Sequence, residues 1–201
     1  MKKIFMFLAI CTAALSFSAC QFSCEDNSNS GGENAGKYAS LNEMLDADYS
    51  KITLTVKDTF DSELTLESVY VINYGNPITV EYSVERLAEI SIDNPSNNLK
   101  VNYNGTATIV DGVVEGGEAI GLDASIASTG LCFKEEYFEN ASLTDMFLQA
   151  DVKNVAGFFG SNISCTGMKV YAEFFPALKN IEIIYTAQNG NKVEYKYVFT
   201  R

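Results

Sequence analysis

The feature that most constrains the fold is an alternation of apolar and polar residues with a period of two. Ile52, Leu54 and Val56 alternate with polar neighbours, as the side chains of a half-buried β-strand must. Comparable patterns predict further strands at about 63–74, 78–84, 99–103, 106–114, 168–174, 181–185 and 193–199. A chain with this pattern is expected to form an antiparallel sheet.

Turn-forming residues separate these segments. Gly75, Asn76 and Pro77 predict a tight turn between two strands, so this part of the chain should form an antiparallel hairpin. The Asn-rich stretch at 93–98 breaks the chain again. Asn189-Gly190 is the pair favoured in a type I′ hairpin turn, which predicts the last hairpin.

Two regions do not follow the strand pattern. Ser40-Leu41-Asn42-Glu43 resembles a capping box and predicts a short helix over 40–47. The Gly-rich stretch at 115–166 predicts an irregular crossover or lid. Within that stretch a second helix is expected near 142–150, with Ser142 as its N-cap.

Together these elements predict a mainly β protein of the α+β class. The expected architecture is a curved antiparallel sheet or half-barrel, with a short N-terminal helix and a short helical or irregular insertion, forming one domain over residues 38–201. A β-sandwich and a closed lipocalin-like barrel are the alternatives. The order of the elements resembles that of the half-barrels of periplasmic lipoprotein carriers and their sensor relatives, without a diagnostic motif.

The N-terminus has the layout of an export signal. Lys2 and Lys3 precede an apolar run over residues 4–19, which predicts a signal peptide at 1–19. Sixteen residues are short for a membrane-spanning helix, which needs about 20, although retention as an anchor is the alternative. Most of the chain is therefore expected to lie outside the cytoplasm.

The end of the apolar run resembles the lipobox of bacterial lipoproteins. Small residues, Ser18 and Ala19, precede Cys20, while Phe17 stands where this family usually has Leu. The resemblance implies that Cys20 carries fatty acyl chains such as palmitate and holds the protein to the outer membrane or cell surface. Ordinary cleavage after Ser18 is the alternative, and Cys24 is a poorer lipidation candidate.

A flexible acidic spacer is expected after the anchor. Residues 20–37 are rich in Gly, Ser and Asn, so they should leave the domain free of the bilayer. The whole chain has 26 acidic against 14 basic residues and a net charge of −12. Nucleic acid is then an unfavourable partner, and attraction to anionic headgroups cannot replace a lipid anchor.

The composition restricts catalysis. The chain contains no histidine, which removes Ser-His and Cys-His nucleophile pairs and the commonest zinc ligand. Gly116-Gly117 lacks the lysine of a phosphate-binding loop and is interpreted as a turn. No catalytic residue, resident metal or cofactor is expected.

Two acidic clusters are candidate sites. Glu135, Glu136 and Glu139 could supply the paired carboxylates of a glycoside hydrolase, but clusters of this kind arise by chance in so acidic a chain. Calcium binding by Asp58, Asp61 and Glu63 is the other case, and the spacing lacks the Gly-bearing loop of known calcium sites.

Two cysteines and six tyrosines complete the candidate sites. Cys132 and Cys165 could form a disulfide in an oxidising compartment, or each could be a buried thiol. Six tyrosines on alternating strands could line an apolar groove for an acyl chain, with core packing as the simpler interpretation. They are Tyr70, Tyr82, Tyr103, Tyr185, Tyr195 and Tyr197.

Three functions remain open from the sequence. The first is a lipid-anchored, non-enzymatic binding or structural module whose partner is an apolar small molecule or a protein. The second is an adhesin-like surface module that presents loops. The third is an envelope hydrolase that uses carboxylates. A large apolar cavity, a filled core with exposed aromatic loops, and facing carboxylates would favour them in that order.

Overall fold

The protein is built on one ten-stranded antiparallel sheet. The computed structural model describes residues 32–60, 64–87 and 100–201. The strands are β1 Lys51–Phe60, β2 Leu64–Asn73, β3 Ile78–Leu87, β4 Lys100–Val110, β5 Val113–Glu115, β6 Phe138–Leu143, β7 Phe147–Val152, β8 Cys165–Phe174, β9 Leu178–Ala187 and β10 Lys192–Thr200. Their order across the sheet is β5-β4-β3-β2-β1-β10-β9-β8-β7-β6.

The first and last strands meet at the centre of this sheet. Ile52 lies opposite Phe199 and Leu54 opposite Tyr197, while β5 and β6 form the two edges. The sheet is curved and unclosed, which confirms the predicted fold class. Among the described strands there is no second sheet and no closure of β5 on β6, so neither the sandwich nor the closed barrel is formed.

One face of the sheet, which we call the inner face, carries the core. The side chains of two residues that lie opposite each other on neighbouring antiparallel strands point to the same face of the sheet. Apolar residues that alternate along one strand therefore lie beside the apolar residues of the next strand. In the two central strands the inner face presents Ile52, Leu54, Tyr195, Tyr197 and Phe199, all of them buried. The outer face is polar, as the sequence alternation predicts.

The chain itself covers the inner face, using three elements. Helix α1 is Ala35–Leu45 and helix α2 is Val155–Phe159. Between β5 and β6 runs the covering segment, which we define as residues 116–137 and which contains three short 3-10 turns. Its buried side chains join the same hydrophobic cluster as the strands, and they are Ile120, Leu122, Ile126, Leu131 and Phe133.

Helix α1 differs from the predicted helix. It begins at Ala35, inside the predicted spacer, and its N-cap residue Asn34 makes no side-chain capping bond. Ser40 lies within the helix, so the predicted capping box is wrong. The physical reason is tertiary, because burial of Tyr38 and Leu41 against the core stabilises turns that have no local capping signal.

Helix α1 is joined to the covering segment by a pair of hydrogen bonds. The Asn42 side-chain amide donates to the Phe133 carbonyl, and its oxygen accepts from the Phe133 N–H, each at 2.8 Å. The Asn42 side chain thus provides hydrogen-bond partners for both the N–H and the carbonyl of Phe133, a residue that lies in no strand or helix. Because Phe133 is only 1% exposed, water cannot replace these bonds.

Aromatic rings pack around this junction. The Phe133 ring lies 5.4 Å from that of Phe158 and 6.1 Å from that of Phe138, and Tyr38 stacks on Phe138 at 5.6 Å. The Cys132 N–H donates to the Phe158 carbonyl at 2.9 Å. Helix α1, helix α2 and the covering segment therefore pack together against β6 at one edge of the sheet.

Two further predictions about elements are wrong. Residues 142–150 form the end of β6 and most of β7 rather than a helix with Ser142 as N-cap, because Leu148 and Ala150 alternate toward the inner face. Gly105 does not separate two strands but lies within β4, where the Tyr82 ring occupies the space that a side chain would need.

The Asn189-Gly190 turn joins β9 to β10 as predicted, but its type differs. Type I′ requires positive φ at both central residues, and within this turn only Gly190 has it, at 89°. The Gly190 N–H donates to the Ala187 carbonyl at 2.9 Å. The connection is therefore a longer loop that ends in one left-handed glycine.

We predict that Asn42→Ala destabilises the protein by about 2–3 kcal/mol, because both backbone groups of Phe133 lose their partners. Urea unfolding should show a lower midpoint with an unchanged slope. Asn104→Ala, at an exposed position on β4, is the matched control. An equal shift in both variants would contradict the role given to Asn42.

Candidate functional site

The six candidate tyrosines lie on the inner face, but they do not form one open groove. Tyr70, Tyr185, Tyr195 and Tyr197 are buried in the core. Tyr185 stacks on Tyr195 at 6.1 Å, and the Phe159 ring of α2 meets Tyr195 edge-on at 5.3 Å. For these four residues, core packing describes the structure better than a groove.

The other two tyrosines mark a part of the inner face that the described elements leave less covered. Tyr103 lies opposite Val84 on the inner side and is 39% exposed. Tyr82 lies opposite Gly105 and is half-buried. This part, which we call the Tyr82–Tyr103 surface, is the portion of the predicted apolar groove that could contact a ligand.

Charged residues also reach the inner face near the β1–β2 turn. Asp58 continues the inward series of Ile52, Leu54 and Val56 and lies between Leu66 and Val193. On β3, Arg86 continues the inward series from Val84 and donates to the Ile120 carbonyl of the covering segment. Such positions usually hold apolar residues, so each charge needs a local explanation.

Around Asp58 the structure brings together several buried polar groups, which we call the Asp58 cluster. Its other members are Asn191, 6% exposed in the β9–β10 connection, and Tyr195, 2% exposed on β10. Within the described residues, Asp58 Oδ1, Asn191 Nδ2 and the Tyr195 hydroxyl make no hydrogen bond of ordinary geometry, although the Asn191 amide lies close enough to Asp58 to favour its charged form. The cluster therefore carries both donor and acceptor capacity inside the apolar core.

Burial dominates the electrostatics of this cluster. It raises the pKa of Asp58 to about 6, an effect that the neighbouring Asn191 amide partly offsets. Burial also raises the pKa of Tyr185, Tyr195 and Tyr197, so these hydroxyls stay protonated and can donate hydrogen bonds. The cluster contains a carboxyl group that titrates near neutral pH.

The acidic trio is divided between two elements. Glu135 and Glu136 lie in a 3-10 turn, where Glu135 is half-buried, and Glu139 is exposed on β6. Of the proposed calcium ligands, only Asp58 belongs to the described residues, since Asp61 and Glu63 lie outside them. Across residues 32–60, 64–87 and 100–201, no group of His, Cys, Asp or Glu side chains could hold a metal ion.

The predicted Cys132–Cys165 disulfide is not formed. Cys165, at the start of β8, carries a free thiol, whereas Cys132 in the covering segment is disulfide-bonded. The two cysteines therefore do not pair with each other. Of the two possibilities left open by the sequence, the free thiol applies to Cys165 alone.

A depression of about 400 Å³ lies on the outer face over β2, β1, β10 and β9. Its charges are already paired, with Lys57 3.0 Å from Glu67 and Lys196 2.8 Å from Glu182. Exposed pairs of this kind contribute little stability and leave little unpaired charge for a ligand. We therefore assign no binding role to this depression.

Two neighbouring turns expose large apolar side chains. Met146, between β6 and β7, is 57% exposed, and Phe175, between β8 and β9, is 59% exposed. The turns are joined by a 2.8 Å hydrogen bond from the Phe174 N–H to the Met146 carbonyl. Phe175 has a φ of 145°, a conformation that non-glycine residues rarely adopt.

Comparison with known proteins adds no relative. No protein-family model matches the chain, and none of the curated proteins is significantly similar to it. In the described part of the chain, no helix has the length and apolar character needed to cross a membrane. Cys20 and the predicted signal peptide lie outside the described residues.

The sequence contained a signal for the Asp58 cluster that the calcium interpretation missed. Asp58 and Arg86 each stand two residues after an inward apolar residue, Val56 and Val84, so strict alternation places both on the inner face. Asn42 offered no such signal. Its partner Phe133 is 91 residues away, and no local pattern connects the two.

We predict that Asp58 makes stability depend on pH. Between about pH 4 and pH 6 the folded state keeps a proton that the unfolded state has lost, so the free energy of unfolding falls as the pH rises through this window. Asp58→Asn should remove this decrease in the free energy of unfolding, because the amide carries no titrating proton. We expect it to stabilise the protein at pH 7.5 by roughly 1–2 kcal/mol after allowance for partial exposure, with little effect at pH 4.

Urea unfolding at both pH values provides the measurement. Asp48→Asn, at an exposed position, is the control and should change stability equally little at either pH. If Asp58→Asn were no more stabilising at pH 7.5 than at pH 4, the assignment of a proton to Asp58 would be wrong.

Proposed function

We propose that this chain is a lipid-anchored protein of the bacterial cell envelope that acts outside the cytoplasm as a non-enzymatic binding or structural module. The anchor is an acylated Cys20, with residues 1–19 removed as a signal peptide. The proposal is supported by the apolar run that ends in Ser18-Ala19-Cys20 and by the acidic composition, which gives the domain little affinity of its own for anionic membranes.

The cover over the inner face is the observation that carries the protein-binding form of this role, and it equally supports the alternative of an adhesin-like module that presents loops. Helix α1, the covering segment and α2 pack onto the sheet as one hydrophobic cluster, so the core needs no ligand to be complete. Interaction with a partner would then use exposed side chains. Met146 and Phe175 on their joined turns are the best candidates, because large apolar residues at turn tips bury well against a partner.

An apolar small molecule is the second candidate partner. The Tyr82–Tyr103 surface is the observation that favours it, since two aromatic side chains lie there on the inner face and Tyr103 is 39% exposed. An acyl chain could pack against these rings. This interpretation agrees with the resemblance of the element order to lipoprotein carriers.

We predict that Cys20→Ala releases the protein from the membrane. Wild-type protein should partition into the detergent phase and carry the mass of its acyl chains, whereas the variant should lose both properties. Cys165→Ser, which changes a free thiol in the folded domain, should retain both. Membrane association of Cys20→Ala at the wild-type level, together with an unchanged mass, would disprove the anchor.

Native mass spectrometry of detergent-purified protein distinguishes the two kinds of partner. A co-purified lipid that is lost in Tyr103→Ala but retained in Tyr171→Ala would support the apolar ligand, because Tyr171 is similarly exposed but lies on the outer face. Protein without any bound lipid would favour the interaction module. Turnover of a glycoside that depends on Glu135 would contradict both.

A further inference from the structure

The most exposed large apolar side chains lie at one end of the sheet. Strands β4, β8 and β6 lie an even number of positions apart in the antiparallel order, so they run in the same direction and the turns after them lie at the same end. Of the large apolar residues in the described part of the chain, the four most exposed lie in or beside these turns. They are Val110 at 42%, Val113 at 63%, Met146 at 57% and Phe175 at 59%, and we call them the apolar end.

In two of these turns the backbone already has its hydrogen-bond partners. The Met146 N–H donates to the Thr144 hydroxyl oxygen at 3.1 Å. The Phe174 N–H donates to the Met146 carbonyl at 2.8 Å. The Phe175 N–H donates to the Ala177 carbonyl at 3.0 Å. Because an unpaired amide is costly in apolar surroundings, turns that satisfy these groups themselves can leave water at little cost.

The charges beside the same two turns are paired. Asp145 lies 2.9 Å from Lys37, and Glu173 lies 3.1 Å from Lys179. These two pairs add no net charge at the turns, although the chain as a whole carries −12. An acidic chain is repelled by anionic headgroups. A lipid surface without net charge therefore suits these turns best.

The first turn of helix α1 lies beside the apolar end. It contains Lys37, whose bond to Asp145 holds it next to Met146. The described chain begins at Gly32, five residues before Lys37. Cys20 is twelve residues before Gly32, and twelve residues can span up to about 40 Å. The bilayer that holds the acyl chains is then within reach of the apolar end, a step that rests on the proposed function.

We propose that the apolar end docks on the surface of the lipid bilayer that carries the acyl anchor, with Met146 and Phe175 inserted among zwitterionic lipids. Each apolar side chain that leaves water adds to the partition free energy of the acyl chains. The docked turns also fix the orientation of a domain that a flexible spacer would leave free. The β9–β10 connection, at the other end of the strands, then faces away from the bilayer.

The chain contains no tryptophan, which gives a direct test. Phe175→Trp and Met146→Trp each place a single tryptophan at the apolar end. Ile184→Trp, on the outer face of β9, is the matched control. Ile184 is 37% exposed and lies six residues, or about 20 Å, from the start of that strand at Leu178.

The full-length acylated variants are reconstituted into phosphatidylcholine vesicles, with and without bromine on the lipid acyl chains, and tryptophan emission is recorded. Bromine quenches only a tryptophan that reaches the lipids. Phe175→Trp and Met146→Trp should emit at shorter wavelength than in detergent-free buffer, and brominated lipid should remove more than half of the emission. Ile184→Trp should keep its wavelength and intensity in both kinds of vesicle.

Equal quenching of Ile184→Trp would overturn the proposal, because the outer face rather than the apolar end would then lie on the bilayer. Flotation with the vesicles and the acyl mass report separately on the anchor. Acylated protein that floats but is quenched at neither position 146 nor position 175 would overturn the docking, leave the anchor intact and return these side chains to a protein partner. Protein that neither floats nor carries an acyl mass would contradict the proposed function, and the docking would fall with it.

Discussion

The rest of the structure depends on the cover over the inner face of the sheet. The strands present a largely apolar inner face, and exposure of apolar surface costs about 25 cal/mol per Å². Helix α1 and the covering segment come from distant parts of the chain, and the Asn42–Phe133 pair joins them. This amide satisfies a backbone unit that water cannot reach, so it holds the two parts of the cover together.

The Asp58 cluster places polar groups in the otherwise apolar core beneath this cover. A carboxyl group, an amide and a tyrosine hydroxyl lie inside an otherwise apolar core, and their unpaired atoms lower stability compared with an apolar core of the same shape. Arg86, on the same face, is tied by its hydrogen bond to the Ile120 carbonyl of the covering segment. Polar groups therefore help position the cover on this face, as Asn42 does at α1.

Alternation predicted most of the sheet, because each long strand carries its own period-two signal, as Ile78–Leu87 and Lys192–Thr200 do. It did not predict β6 and β7, which are only six residues long and contain residues such as Ala150 and Gln149 that also suit a helix. The start of α1 and the Asn42–Phe133 pair depend on contacts far apart in sequence. The inward position of Asp58, in contrast, could be derived by continuing the β1 pattern.

The central position of the β1–β10 pair has a consequence for folding. Strands next to each other in sequence can pair early, but the second neighbour of β1 is β10, the described strand farthest from it in sequence, so this pairing closes the longest loop in the sheet. Until Lys192–Thr200 has paired, the two halves of the sheet are not connected, and the edge of β1 is open to pairing with other chains. Loss of β10 would therefore divide the sheet in its middle, whereas loss of β5 or β6 would only shorten it at an edge.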